Sequence, residues 1–240
     1  VCNIKIELEY DGTNFSGWQI QPNKRTVQGT ITSSLKKFLV EDKLKLTGVS
    51  RTDAGVHALS YVANFKTKSK LGVKDIRNAL NSHLPSDIYV HKALEVDADF
   101  NSRYSAKNKI YRYRILPHFS PLRKNFTWQI RYQLAMSPMK RASKYLTGKK
   151  DFTPFSVEEN NRVVNVKKAN LYREGDELIF EIEANRFLNK MVRMIVGTLV
   201  EIGRGKIKPL LIKELLNNGK KGSGGPTAPP QGLYLVKVKY

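Results

Sequence analysis

Ile4-Lys5-Ile6-Glu7-Leu8-Glu9-Tyr10 alternates apolar and polar side chains without a break, the period of a strand with one buried face. The alternation stops at Asp11-Gly12-Thr13-Asn14, a turn by composition. From Thr26, a residue type that caps helices, Val27, Ile31, Leu35 and Phe38 fall on one helical face. Leu44 to Val49 alternates again, and Ser60 to Lys66 places Tyr61, Ala63 and Phe65 on one side of a second strand. Val73 to Leu84 reads as a helix with Val73, Ile76 and Leu80 inward, and Pro85-Ser86-Asp87 then turns into a strand carrying Ile88 and Val90 on one face. The first half is thus β-α-β-β-α-β, an α+β sandwich of helices on an antiparallel sheet. A sheet covered on one face and open on the other is a common platform for RNA, an analogy at the level of fold.

Lys109 to Ile115 is the strongest strand of the second half, with Tyr111, Tyr113 and Ile115 on one face and Arg112 and Arg114 on the other. The pattern admits two readings: cations and rings facing RNA, or an amphipathic strand that buries its tyrosines. Pro117 to Lys124 is a proline-bearing basic loop, and Ser137-Pro138 reads as an N-cap with proline at the first helical position of a helix through about Leu146. Val163 to Tyr172 and Leu178 to Ala184 form a hairpin across Glu174-Gly175-Asp176. Phe187, Met191, Met194, Ile195 and Leu199 recur at helical spacing, ending near Gly203, and Arg193 stands out among them as a cation in an apolar helix. A surface arginine is the ordinary expectation there. Pro209 to Asn218 is a short helix stopped by Gly219, and a final strand follows Gly232. The halves repeat an order of elements without internal sequence repetition. They predict lobes at 1–104 and 105–240, the second with a basic connection over 105–136 and a core over 137–240.

Composition narrows the partners. Forty-two Lys and Arg against 21 Asp and Glu leave a formal charge of +21, a field that draws polyanions, most simply nucleic acid. From Phe100 to Lys150 there is no acidic residue, while thirteen Lys and Arg fall there. A general drift in composition would not empty one stretch of acids and spare its flanks, so this stretch is expected to face phosphates. The 40% hydrophobic content suits a globular chain, and no run of about 18 apolar residues suggests a membrane span. Val1-Cys2-Asn3-Ile4 leads straight into a strand with no signal-peptide pattern, and the single Cys2 agrees with a reducing compartment, so a cytoplasmic location is expected. The four histidines (His57, His83, His91, His118) lack metal-ligand spacing, and no metal site is expected. Lys220 to Gly225 and Gly203-Arg204-Gly205-Lys206 are glycine-rich without the spacing or context of a phosphate-binding loop.

One polar loop sits between two predicted strands: Val49-Ser50-Arg51-Thr52-Asp53-Ala54-Gly55-Val56-His57-Ala58. By itself Thr-Asp-Ala-Gly is also an ordinary turn. Ser50 to Ala58, however, resembles the signature loop of the tRNA pseudouridine synthase A family. So do Tyr10-Asp11-Gly12-Thr13 with Phe15, Gly17-Trp18-Gln19 and Gln21; Val27-Gln28-Gly29; the Lys-x-Tyr-Arg-Tyr segment ending at Tyr113; Asp151 to Ser156; Ala184-Asn185-x-Phe187-Leu188 with Met191-Val192-Arg193; and Gly232 to Leu235. The matches run from Tyr10 to Leu235. Departures are Ser50 for the usual Gly, Ser102 for a common Ala, and Asn189 where His or an aromatic is frequent, the last bearing on the shape of the pocket.

The resemblance implies two α/β-sandwich lobes with antiparallel or mixed sheets, meeting at a central active-site cleft. It implies that Asp53 is the catalytic nucleophile, Tyr111 the active-site tyrosine and Arg193 the partner of Asp53, and that Arg51 supports a uridine turned out of its helix. Arg103, Arg112 and Arg114, from the acid-free stretch, are candidate contacts to the substrate. It further implies tRNA as partner, a homodimer, no cofactor, and modification at three neighbouring positions on the 3′ side of the anticodon stem-loop. The competing class is a non-catalytic RNA-binding protein or RNA chaperone, which explains the charge and Tyr111 but gives no reason for Asp53 or Arg193. An RNA methyltransferase is weakened by the lack of a glycine-rich cofactor loop after a strand.

Overall fold

The computed structural model describes residues 1–39, 41, 43–158 and 161–240, and the chain divides into two compact units, Val1–Lys107 with Leu235–Tyr240, and Asn108–Tyr234. The first unit runs β1 (Cys2–Tyr10), α1 (Val27–Leu35), β2 (Thr47–Gly48), β3 (His57–Thr67), α2 (Val73–His83) and β4 (Ile88–Val96), the order its sequence pattern predicts. β1 is the middle of an antiparallel sheet, flanked by β3 and β4, with Ile4, Ile6, Leu8 and Tyr10 buried in alternation. Val27, Ile31 and Leu35 of α1 and Ile76 and Leu80 of α2 are fully buried, the apolar stripes that make these short helices stable only against other elements. Thr26 caps α1 as its residue type predicts, its hydroxyl accepting from the Gly29 N–H at 3.3 Å, an interaction worth about 1 kcal/mol. Asn81 of α2 exchanges two 2.9 Å bonds with the backbone of Val90, tying the helix to β4.

Two expectations change in this unit. Phe38 lies past the end of α1, and Leu39 takes the buried place instead. The strand expected over Leu44–Val49 shrinks to Thr47–Gly48, and side chains reach the carbonyls at its start. The Leu46 carbonyl accepts from Gln28 at 2.9 Å and that of Thr47 from the Ser102 hydroxyl at 2.7 Å.

The second unit contains β5 (Asn108–Leu116), β6 (Trp128–Gln129), α3 (Met136–Lys144), β7 (Gly148–Asp151), β8 (Val163–Glu174), β9 (Glu177–Ala184), α4 (Met191–Gly203) and α5 (Leu211–Asn218). Its strands lie in the order β5-β9-β8-β7, antiparallel, while β6 joins β5 in parallel, so the sheet is mixed. The expected β8–β9 hairpin turns at Gly175-Asp176, with Glu174 opposite Glu177. α4 is buried along nearly its whole length, and Met139 and Ala142 of α3 are fully covered.

Here too the pattern is corrected at element ends. α3 begins at Met136 with Ala135 as N-cap, so Ser137 lies inside the helix, where its hydroxyl accepts from Arg141 at 3.0 Å. Proline is tolerated there because the first-turn N–H groups have no helical acceptor in any case. Phe187 precedes α4 rather than opening it, since Lys190 at the N-cap turns left-handed with φ 62°.

The last strand, β10 (Leu233–Lys239), lies beside β3, and from Leu235 onward the chain belongs to the first unit. Lys239 accepts from the Lys107 N–H at 2.8 Å, and the Tyr240 hydroxyl donates to the Ser102 carbonyl at 2.9 Å. The boundary expected at 104/105 falls three residues before the structural one, and the expected second lobe loses the C-terminal six residues to these bonds. Among the described residues no helix is long and apolar enough to cross a membrane.

Candidate active site

The Asp53 loop is moulded by the segment that follows β1. Trp18 N–H donates to the Thr52 carbonyl at 3.1 Å and Gly55 N–H to that of Phe15 at 3.3 Å. Val56 N–H closes the turn onto the Asp53 carbonyl at 3.2 Å. The Tyr10 and Thr52 hydroxyls share a 2.8 Å bond, just where the pairing of β1 with β3 shifts register between Leu8 and Tyr10. Ser50 is held from both sides by the Tyr61 hydroxyl, which donates to its carbonyl and accepts from its N–H. Tyr61 itself stacks on Trp18, with ring centres 4.1 Å apart.

Two glycines make this approach possible. A side chain on Gly12 would stand 2.0 Å from the Val56 carbonyl oxygen. At Gly17, with φ 89°, it would stand 2.5 Å from that of Thr52. Neither position admits a Cβ without moving the loop. Buried His57 completes the mould: its Nδ1 accepts the Gly12 N–H at 3.0 Å and lies 3.1 Å from an Asp11 carboxylate oxygen. At the tip Asp53 is half-buried and Arg51 exposed. The family resemblance names Tyr10, Gly12, Gly17, Trp18 and His57 as motif residues, but not that they hold one loop; Tyr61 was legible only as a strand residue.

In the second unit Tyr111 is buried on β5, its ring edge-on to Phe187 at 4.8 Å. Tyr113, two residues on, is fully covered and donates its hydroxyl to the Pro229 carbonyl at 2.6 Å; burial pushes its phenol well above the usual pKa. Both tyrosines are therefore buried, as the amphipathic reading of this strand had them. Arg193 stands in the first turn of α4, half-buried rather than at the surface, with its Nε donating to the Ala228 carbonyl at 2.8 Å. Asn189 just before it donates its N–H to the Glu158 carboxylate at 2.9 Å.

The basic residues separate into two groups. Arg112 donates through Nε and Nη2 to Glu181 at 3.2 and 3.0 Å, and Arg114 grips Glu177 through two bonds of 2.7 and 2.8 Å. Arg123 holds Asp176 at 2.9 and 2.6 Å, and His118 reaches the same carboxylate at 2.9 Å. Asp176 is held well below the usual carboxylate range by Arg123 first and His118 second. Arg51 and Arg103 are exposed, and neither has an ion-pair partner among the described residues; the Arg103 guanidinium lies 5.6 Å from the Tyr104 ring. Among the described residues no three His, Cys, Asp or Glu side chains gather as a metal site would require.

The α+β architecture with its mixed sheet is consistent with a pseudouridine synthase fold, and comparison with known proteins shows that class. The family model for tRNA pseudouridine synthase matches residues 8–105 and 142–240, and the chain belongs to that family, whose members isomerise uridine in tRNA. Among its relatives, the tRNA pseudouridine synthase A of Thermoanaerobacter sp. (strain X514) is 44% identical over 243 residues, covering 99% of both chains. That of Caldicellulosiruptor saccharolyticus is likewise 44% identical with 99% of both covered. That of Halalkalibacterium halodurans is 45% identical over 96% of this chain and 89% of its own.

Proposed function

We propose that the chain converts uridine to pseudouridine on the 3′ side of the tRNA anticodon stem-loop, with Asp53 as nucleophile. The observation that carries this reading is the Asp53 turn: five hydrogen bonds fix its main chain and a sixth holds the Thr52 hydroxyl, while Asp53 sits at the tip, half-buried. The reaction breaks the N1–C1′ bond, turns the uracil and rejoins it through C5, which gives up its hydrogen. A carboxylate can attack the base or the ribose, hold the covalent intermediate and leave again. Nothing in this sequence of steps needs a redox group.

The other roles follow from the chemistry of each group. Arg193, at the amide-rich start of a helix, adds its charge where an anion is already favoured, and a charge-assisted bond to Asp53 would aim the nucleophile. Tyr111 contacts the detached uracil. Arg51 supports the extruded nucleotide, whose unstacking costs on the order of a few kcal/mol. Arg103 and other exposed cations meet phosphates, and recognition by shape allows neighbouring uridines to be served by one site. Action in the cytoplasm, which the single cysteine favours, and a homodimer, which the resemblance implies, complete the reading.

The test is a tRNA transcript incubated with the protein, digested to nucleosides and assayed for pseudouridine. Product confined to the 3′ side of the anticodon stem-loop is expected. Binding without product across a mixed tRNA pool would favour the non-catalytic RNA-binding reading.

A further inference from the structure

An arginine in the first turn of a helix works against the helix dipole, so the orientation of Arg193 needs a hold from outside α4. Segment 225–230 supplies it. Ala228 exchanges two bonds with Arg193: the guanidinium Nε donates to the Ala228 carbonyl at 2.8 Å, and the Ala228 N–H donates to the Arg193 carbonyl at 3.0 Å. Because Nε joins the planar fork to its stem, engaging it fixes the direction in which the two terminal nitrogens point.

The segment is itself fastened at three places. The Thr198 hydroxyl, completely buried, accepts from the Gly225 N–H at 2.7 Å while donating to the Met194 carbonyl at 2.8 Å. At Gly197 an added Cβ would stand 1.6 Å from the Pro226 carbonyl oxygen, so the strap lies directly on the helix backbone. At its far end the Tyr113 hydroxyl donates to the Pro229 carbonyl at 2.6 Å. Pro226 and Thr227 face solvent while Ala228 is buried, as expected of a band drawn tight at both ends.

We propose that segment 225–230 is the positioning element of Arg193 and that Thr198 anchors it, making Thr198 a positioning residue for the isomerisation although it lies beneath the band. The proposal rests on the catalytic reading of Arg193, and two separate readouts keep the two apart. The first is exchange of the Arg193 Nε–H with solvent, followed by NMR on the free protein and assigned by its loss in Arg193→Lys. It should be slow in the wild type, fast in Thr198→Val, and slow again in Thr198→Ser, which keeps the hydroxyl.

The second readout is turnover. Thr198→Val should lower kcat about tenfold, as misplacement of a catalytic group does, with KM for tRNA changed less than about twofold. Thr198→Ser should restore it. Should Thr198→Val fail to fold, Tyr113→Phe frees the other end and is expected to give the same pattern, with about a threefold loss in kcat. Unchanged Nε–H exchange, or faster exchange with kcat intact while Arg193→Lys is inactive, would overturn the role of the band alone. Wild-type turnover by Arg193→Lys would instead remove the catalytic reading of Arg193.

Discussion

Arg112 and Arg114 on β5 carry the same charge as Arg51 and Arg103 on their loops, but not the same freedom to meet a polyanion. On β5 the opposite strand brings Glu181 into register with Arg112, and Glu177 closes on Arg114. The loop arginines stand in water with no carboxylate beside them among the described residues. The acid-free run from Phe100 to Lys150 is therefore a property of the chain, not of the surface: β8, β9 and their turn return Glu174, Asp176, Glu177 and Glu181 to three of its arginines. Charge counted along a sequence overstates the charge available in space wherever strands from distant segments pair.

Substitutions are expected to separate the two groups of arginines. Arg51→Ala is expected to lower kcat/KM by about 100-fold, through lost support of the extruded base and its placement. The slope of log affinity for tRNA against log salt should fall by about one. Steady-state turnover and salt-titrated binding read both. Arg114→Ala should act on stability instead. It leaves the buried Glu177 with only the longer 3.3 Å contact from Arg123, at a cost of about 2 kcal/mol seen in urea unfolding, while tRNA affinity stays within about twofold. A tenfold loss of affinity with unchanged stability would show that the β5 arginines reach RNA after all.

The smallest expected effect is on the pH dependence of stability. Asp176 raises the His118 pKa from its ordinary 6.5, chiefly through their hydrogen bond. A raised folded value means that the contribution to stability is complete below about 6.5 and fades as pH climbs through the folded value. The unfolding midpoint should decline slightly across neutral pH in the wild type and lose that component in His118→Gln. An identical pH profile in the two proteins would remove His118 from the Asp176 cluster.

The elements with one buried face were legible. β1, α1 and α2 carry Ile4 to Tyr10, Val27 to Leu35 and Ile76 to Leu80 at the spacing their geometry dictates, so periodicity finds them. β6 and β7, two and four residues long, are too short to show a period. The N-terminus of α3 was misplaced because proline fits anywhere in a first turn, and Phe187 kept a helical spacing although Lys190 breaks the helix after it. The Asp53 loop was legible as residues and not as a mould. What holds it comes from Gly12 and Gly17, which let backbones approach closely, and from the Tyr61 hydroxyl reaching across to Ser50, none of which local pattern shows. The same holds for the band over Arg193: nothing in the spacing of Thr198, Gly225 and Ala228 announces the bonds that join this segment to α4 and to the Arg193 guanidinium.

The most direct measurement uses tRNA transcript carrying tritium at uridine C5, given to the wild-type protein and to Asp53→Asn, with tRNA binding measured in parallel. Rejoining the base through C5 must expel that label. Release by the wild type, none by Asp53→Asn, and similar affinity for both is the predicted result. Release by Asp53→Asn at the wild-type rate, or no release by a wild type that binds tRNA, would contradict the assignment of Asp53 as the nucleophile of a pseudouridine synthase.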